Sequence, residues 1–213
     1  MSGYARVDPA AFLSEDRRLH ALLDGVPLHD VWRIDLPGGP DGLDLRDLRA
    51  LMASEDVLAS NLAVRALFAL RRGLGRWFRW DEDENADEGR PGSAAPPPPS
   101  PGSWLERLTE EDRAASLEPP GSKEGPFTVL YVFPDEALSE IRNATVHAFS
   151  AMTLSRVPGG YEAHWAIYVK PVGRITALYM ALIDPFRHAI VYPAMLRAVR
   201  RRWRERFGEP ERA

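Results

Sequence analysis

Five histidines and no cysteine set the chemistry open to this chain of 213 residues. Without a thiol there is no thiolate nucleophile, no disulfide framework and no Cys-ligated zinc or iron–sulfur centre. His147 stands among apolar neighbours in NATVHAF, residues 143–149. Imidazole titrates near neutrality, so such a residue can act as a general base or a ligand anchor. The plainer reading is a satisfied core or surface histidine, because no carboxylate lies at a spacing that sequence alone shows to be adjacent. Asp184, Arg187 and His188 surround Pro185. Arg187 and His188 can bind an anionic group and Asp184 can pair with an arginine, or these charges can order carbonyls that the proline frees. Lys170-Pro171 has the same two readings. There is no HExxH, no GxSxG and no carboxylate cluster with metal spacing, and Gly73-Leu74-Gly75 lacks the third glycine and the preceding strand of a dinucleotide fingerprint. No metal and no cofactor is expected.

A formal net charge of −4 argues against a nucleic-acid coat. The balance is uneven: DEDENADE, residues 81–88, holds six acids, and residues 197–206 hold six arginines. The arginine run reads as the wet side and dipole complement of a helix, with contact to an anionic membrane or RNA as the alternative. MSGYARVDPAAFLSEDRRLH puts charges where a secretory signal needs an apolar core, so the cytoplasm is the expected compartment, and the sequon at Asn143-Ala144-Thr145 is a coincidence of spacing. The longest uncharged runs, Ile175–Ile183 and Ala189–Leu196, fall far short of the ~18 residues a bilayer requires. No transmembrane segment is expected.

The elements that would position these residues follow from periodicity. His29 to Leu36 alternates apolar and polar, with Val31 out of phase, and reads as a strand stopped by Pro37-Gly38-Gly39-Pro40. Asp44 can cap a helix from Arg46 to Met52, and Ser54-Glu55-Asp56 can start another from Val57 to about Arg72. Residues 81–103, acidic and then RPGSAAPPPPSPGS, read as a disordered insert in a single domain spanning 1–213. Trp104 and Leu105 resume order, with a short helix to about Ser116. Phe127 to Phe133 is a strand, and Ser139 to Asn143 another. Thr145–Val157 and Tyr161–Lys170 form a hairpin around Pro158-Gly159-Gly160. Its return strand puts Tyr161, Ala163, Trp165, Ile167 and Val169 on an apolar face, and Glu162, His164, Tyr168 and Lys170 on a face that reads as solvated or as a polar catalytic patch. If Val157 opposes Gly160, Ala148, Ser150, Met152 and Leu154 join the apolar face, and His147 and Phe149 the polar one. From Ile175 to about Phe207 the chain is helical, bent or interrupted by Pro185 and Pro193, with Phe186, Ile190, Leu196, Val199, Trp203 and Phe207 near one stripe.

This order of one strand, two helices, several antiparallel strands and a long last helix resembles the helix-grip fold of the START/Bet v 1-like (SRPBCC) superfamily. NATVHAF and YVKPVGRITALYMALIDPFRHAIVYPAML, residues 168–196, resemble the signature of the uncharacterised DUF2867 family. The resemblance implies an α+β fold in which a curved antiparallel sheet wraps the C-terminal helix and leaves a cavity. It supplies no established catalytic residues. Some relatives are joined to a Rossmann-type module, which implies small-molecule metabolism and a separate short-chain dehydrogenase or epimerase-like protein as a partner.

Such a cavity is apolar with a few orienting polar groups. Tyr131, His147, Phe149, Trp165, Tyr179 and His188 are the expected lining. The leading expectation is a binder of a small apolar or amphipathic molecule. The alternatives are a cyclase, dehydratase or isomerase with His147 as proton shuttle and Tyr131 or Tyr179 polarising a carbonyl, and a peripheral membrane or interaction module using Met180, Leu182, Phe186 and the arginine tail.

Overall fold

The computed structural model describes residues 3–52, 102–142 and 146–208. The helix expected at 57–72, the acidic stretch and most of the proline-rich stretch lie outside them. Strand alternation organises what is described. β1 (Tyr4–Arg6), α1 (Pro9–Leu13), α2 (Arg18–Leu22), β2 (Leu28–Pro37) and α3 (Leu45–Met52) precede a 3₁₀ turn at Trp104–Arg107, α4 (Glu110–Ala115), β3 (Lys123–Glu124), β4 (Phe127–Val132), β5 (Glu136–Arg142), β6 (His147–Val157) and β7 (Gly160–Lys170). All strands join one antiparallel sheet in the order β1-β2-β7-β6-β5-β4-β3. Asp44 accepts from the Arg46 amide, the cap expected for α3.

The hairpin takes the register in which Val157 pairs with Gly160, Leu154 with Ala163 and Met152 with Trp165, which puts Met152 and Leu154 on the apolar face. A Cβ on Gly160 would stand 2.3 Å from the Leu36 carbonyl oxygen, so only glycine lets β7 turn this close to β2. The apolar face of the hairpin joins Ile34 and Leu36 of β2 in a core under the C-terminal helix, where Leu196, Val199 and Trp203 are fully buried.

The opposite face is not solvated. Phe12, Leu19, Leu22, Trp104 and Leu105 cover Val31, Phe149, Ala151, Ala166 and Tyr168, so the sheet is buried on both sides. Tyr168 is 1% exposed, and His164 packs edge-on against Phe12 at 5.4 Å. The two short N-terminal helices, which the charged opening of the sequence obscures, and the Trp104 segment supply this layer.

The C-terminal helix is interrupted as its prolines require. α5 (Arg174–Phe186) contains Pro185, a π turn spans Arg187–Val191, and α6 (Tyr192–Phe207) begins with Pro193 in its first turn. Pro193 has no N–H to return to residue 189, and the Tyr192 N–H reaches instead to the Arg187 carbonyl, five residues back. The widened turn corrects the expected stripe: Ile190 rotates out to 41% exposure. Met180 is buried in the core while Leu182 is exposed, which divides the apolar patch that a membrane-facing helix would need.

Candidate functional site

Neighbouring residues of a regular strand point to opposite faces, yet His29 and Asp30 both meet the C-terminal helix. The cause is a bulge. Pairing passes from Leu28–Tyr168 directly to Asp30–Ile167, leaving His29 as the extra residue and twisting both side chains toward the same side. Across from them Asp184, Arg187 and His188 occupy i, i+3 and i+4 on one helical face. His29 Nε2 lies 2.8 Å from Asp184 Oδ2, and His188 Nε2 lies 3.1 Å from Asp30 Oδ2. Arg187 donates to Asp184 Oδ1 at 3.0 Å and sits 3.6 Å from Asp30 Oδ2, with its guanidinium carbon 4.9 Å from the Tyr192 ring centre. The His29 and His188 rings stack at 6.3 Å.

An aromatic wall adjoins this polar cluster. Trp32 and Trp165 are register partners on β2 and β7, and both present ring faces or edges to Tyr192, at 5.8 Å and 4.9 Å. His188 lies 5.6 Å from Tyr192 and 6.4 Å from Trp32. Asp30 is completely buried. Its Oδ1, the Trp32 Nε1 and the Tyr192 hydroxyl are buried polar atoms with no hydrogen-bond partner in the protein. Buried polar groups are ordinarily paired, because an unpaired one costs about 1–3 kcal/mol. Three of these unpartnered atoms lie around one set of rings. The tautomer in which His188 Nε2 donates to Asp30 leaves Nδ1 as an acceptor. His29, Asp30 and His188 also bring one ligand-type atom each to within 4.8 Å of one another.

A model of the protein family described as a protein of unknown function (DUF2867) matches residues 22–194, a span that contains every residue of this cluster. The chain belongs to the DUF2867 family. No curated protein and no solved structure matches it.

The expected lining residues do not converge. Trp165 and His188 lie on the helix side of the sheet, and the side chain of Tyr179 is outside the described residues. Tyr131, His147 and Phe149 lie on the other side, beneath the N-terminal layer. Each is engaged there. The Tyr131 hydroxyl donates to Glu136, which also accepts the Leu19 amide at 2.8 Å and so fastens α2 to the sheet. Burial, aided by the Glu136 charge, pushes the Tyr131 phenol well above its ordinary value, and burial likewise raises Glu136. His147 Nε2 is 2.9 Å from Glu140 Oε2, Ser103 donates to Glu140 Oε1, and the Trp104 amide reaches Oε2 at 3.1 Å. Burial alone would raise the Glu140 carboxyl, but the bonds from His147, Ser103 and Trp104 outweigh it and hold the group below its ordinary value. This cluster, with His147 ring-to-ring against Trp104 and Phe149, anchors the Trp104 segment rather than opening on the helix side.

Sequence reasoning named Asp184, Arg187 and His188 but missed their partners His29 and Asp30. The signal was present: Asp30 is in phase with Trp32, Ile34 and Leu36, a charge on the apolar side of its strand. Among the described residues a further cleft of about 360 Å³ lies beside β3 and β4, with Arg49 at its base committed to Glu124 at 2.8 Å and Glu118 at 3.2 Å. Five of its eight lining residues are charged: Arg46, Arg49, Glu118, Lys123 and Glu124. No helix of the described residues is long and apolar enough to cross a membrane.

Proposed function

We propose that the protein binds a small, largely apolar molecule carrying a hydroxyl or carbonyl oxygen, between the sheet and the C-terminal helix. The observation that carries this reading is the group of three buried, unpartnered polar atoms, Asp30 Oδ1, Trp32 Nε1 and Tyr192 OH, beside the Trp32, Trp165 and Tyr192 rings. Two hydrogen donors and an acceptor at the end of an aromatic wall match a molecule with an apolar body and one oxygen-bearing end. The seven-stranded antiparallel sheet with a helix laid on one face supports placing the domain with the helix-grip folds of the START/Bet v 1-like superfamily, where such a cavity is expected.

A second reading is acid–base catalysis on that molecule. The His188–Asp30 dyad favours it, since a buried carboxylate fixes the imidazole's orientation while Nδ1 remains free to take a proton. In this reading the proton shuttle is His188, on the helix side, in place of His147.

Native mass spectrometry of the purified full chain, followed by tryptophan-emission titration with hydroxylated aromatics and fatty acids, tests the binding reading. Copurified mass or saturable quenching is expected, and both weaken in Tyr192→Phe. No retained mass, together with no saturable quenching across the series, removes it.

A further inference from the structure

We propose that His29, Asp30 and His188 bind one divalent transition-metal ion of the kind that two imidazoles and a carboxylate select, such as zinc or cobalt(II). This goes beyond the binding of an organic molecule; both readings draw on Asp30 Oδ1, and the test below separates them.

Their ligand atoms lie within 4.8 Å of one another, whereas ligands about 2.1 Å from a tetrahedral ion stand about 3.4 Å apart. Small side-chain rotations close that difference. The bulge in β2 is what makes the set available, because it turns two consecutive residues to the same side. Asp30 is wholly buried, and its Oδ1 has no partner in the protein. His29 Nε2 lies 2.8 Å from Asp184, so with the ion on the other ring nitrogen Asp184 would supply the carboxylate-to-imidazole support that orients metal-binding histidines. The charge also fits. Arg187 is bonded to Asp184 at 3.0 Å and stands off from Asp30 at 3.6 Å, so one guanidinium faces two carboxylates and the cluster keeps an excess negative charge. The side chains of His29 and His188 are 26% and 27% exposed, which gives an ion a way in and leaves coordination positions open to solvent.

The test uses the full chain stripped with chelator and titrated near neutral pH with cobalt(II), read by visible d–d absorption, and then with zinc, read by calorimetry and by the thermal midpoint. One equivalent of either ion is expected, with zinc raising the midpoint. His29→Ala, His188→Ala and Asp30→Asn should each weaken binding at least about tenfold, and Asp184→Asn, which acts through His29, about tenfold. His20→Gln, on the opposite side of the sheet, should leave binding unchanged. Asp30→Asn is nearly isosteric and keeps the test decisive if an alanine variant fails to fold. Absence of one-equivalent uptake, or uptake that Asp30→Asn leaves intact, or a loss as large in His20→Gln, overturns the proposal and leaves the three side chains as a hydrogen-bonded network. Organic-molecule capture is scored independently on chelated protein.

Discussion

The Asp30 carboxylate of β2 and the His188 imidazole of the π turn meet at 3.1 Å although 158 positions separate them in the chain. Asp30 also faces Arg187, so it orients two groups from a fully buried position. Asp30→Asn keeps the shape, removes the charge and turns one acceptor into a donor facing those groups. A loss of about 1–3 kcal/mol is expected in urea unfolding. Stability unchanged within about 0.5 kcal/mol would show that the carboxylate's hydrogen bonds are not formed.

Tyr192→Phe separates stability from function. The hydroxyl is buried and unpaired, so removing it should leave stability the same or raise it by up to about 1 kcal/mol, while the affinity for any oxygen-bearing ligand found by the tryptophan titration drops about tenfold. A clear loss of stability would mean that the hydroxyl has a structural partner after all.

The N-terminal layer should respond to acid through His20 and His164. Burial holds both below the ordinary value of 6.5, with the Phe12 carbonyl opposing for His20 and Glu15 and Glu162 opposing for His164. A depressed imidazole binds fewer protons folded than unfolded, so stability is full above pH 6.5 and declines as pH falls below it toward the folded values. Glu136, raised by burial, works in the other direction nearer its ordinary 4.5. The double variant His20→Gln, His164→Gln should flatten the slope of unfolding free energy between neutral pH and pH 5.5, within about one unit of that 6.5. An unchanged slope would assign the acid response to other groups.

Asp112 supplies a second, lower window. The Arg18 hydrogen bonds lead the causes that bring its carboxyl to about 2, against burial, and Thr109 completes a capping box at the start of α4. Its contribution is present above the ordinary value of 3.8 and vanishes as pH falls through about 2. Because the Arg18 side chain is 40% exposed, Asp112→Asn should cost only about 1 kcal/mol at neutral pH. The difference from wild type should shrink to nothing in strong acid, and a gap that persists there would mean packing, not charge, is responsible.

The sheet side of this molecule was legible in its sequence and the site much less so, for one physical reason. Side-chain alternation is local: it put Tyr161, Ala163 and Trp165 on one apolar face, while the register that pairs Val157 with Gly160 and the layer that covers that face depend on the turn and on distant elements. The cluster is long-range: His29 and Asp184 belong to different elements, and a bulge, which alternation reports only as a phase error, brings them together. Val31 looked misplaced for a different reason: it is in regular register with Ala166 on the face that the N-terminal helices bury, and alternation assigned that face to solvent. Those helices are five residues each, too short for a 3.6-residue period to declare itself. The partner of His147 likewise belongs to another element: Glu140 lies on the neighbouring strand β5, on the face away from the helix.

Pro193 is the last determinant of the site, and it acts through the backbone. With no N–H at that position the chain widens by one residue over Arg187–Val191, which sets the direction of His188 relative to α6. Pro193→Ala supplies an N–H for an ordinary helical bond, and closing the π turn would rotate His188 by about 100° against the docked helix. The coupling between Asp30 and His188, measured by a double-mutant cycle in the two backgrounds, should fall from about 1–3 kcal/mol to under about 0.5 kcal/mol in Pro193→Ala. Far-ultraviolet circular dichroism should show helix kept or gained, which separates a redirected side chain from an unfolded one. A coupling energy that survives the substitution would place the origin of the π turn in the packing of Val191 and Tyr192 rather than in the proline.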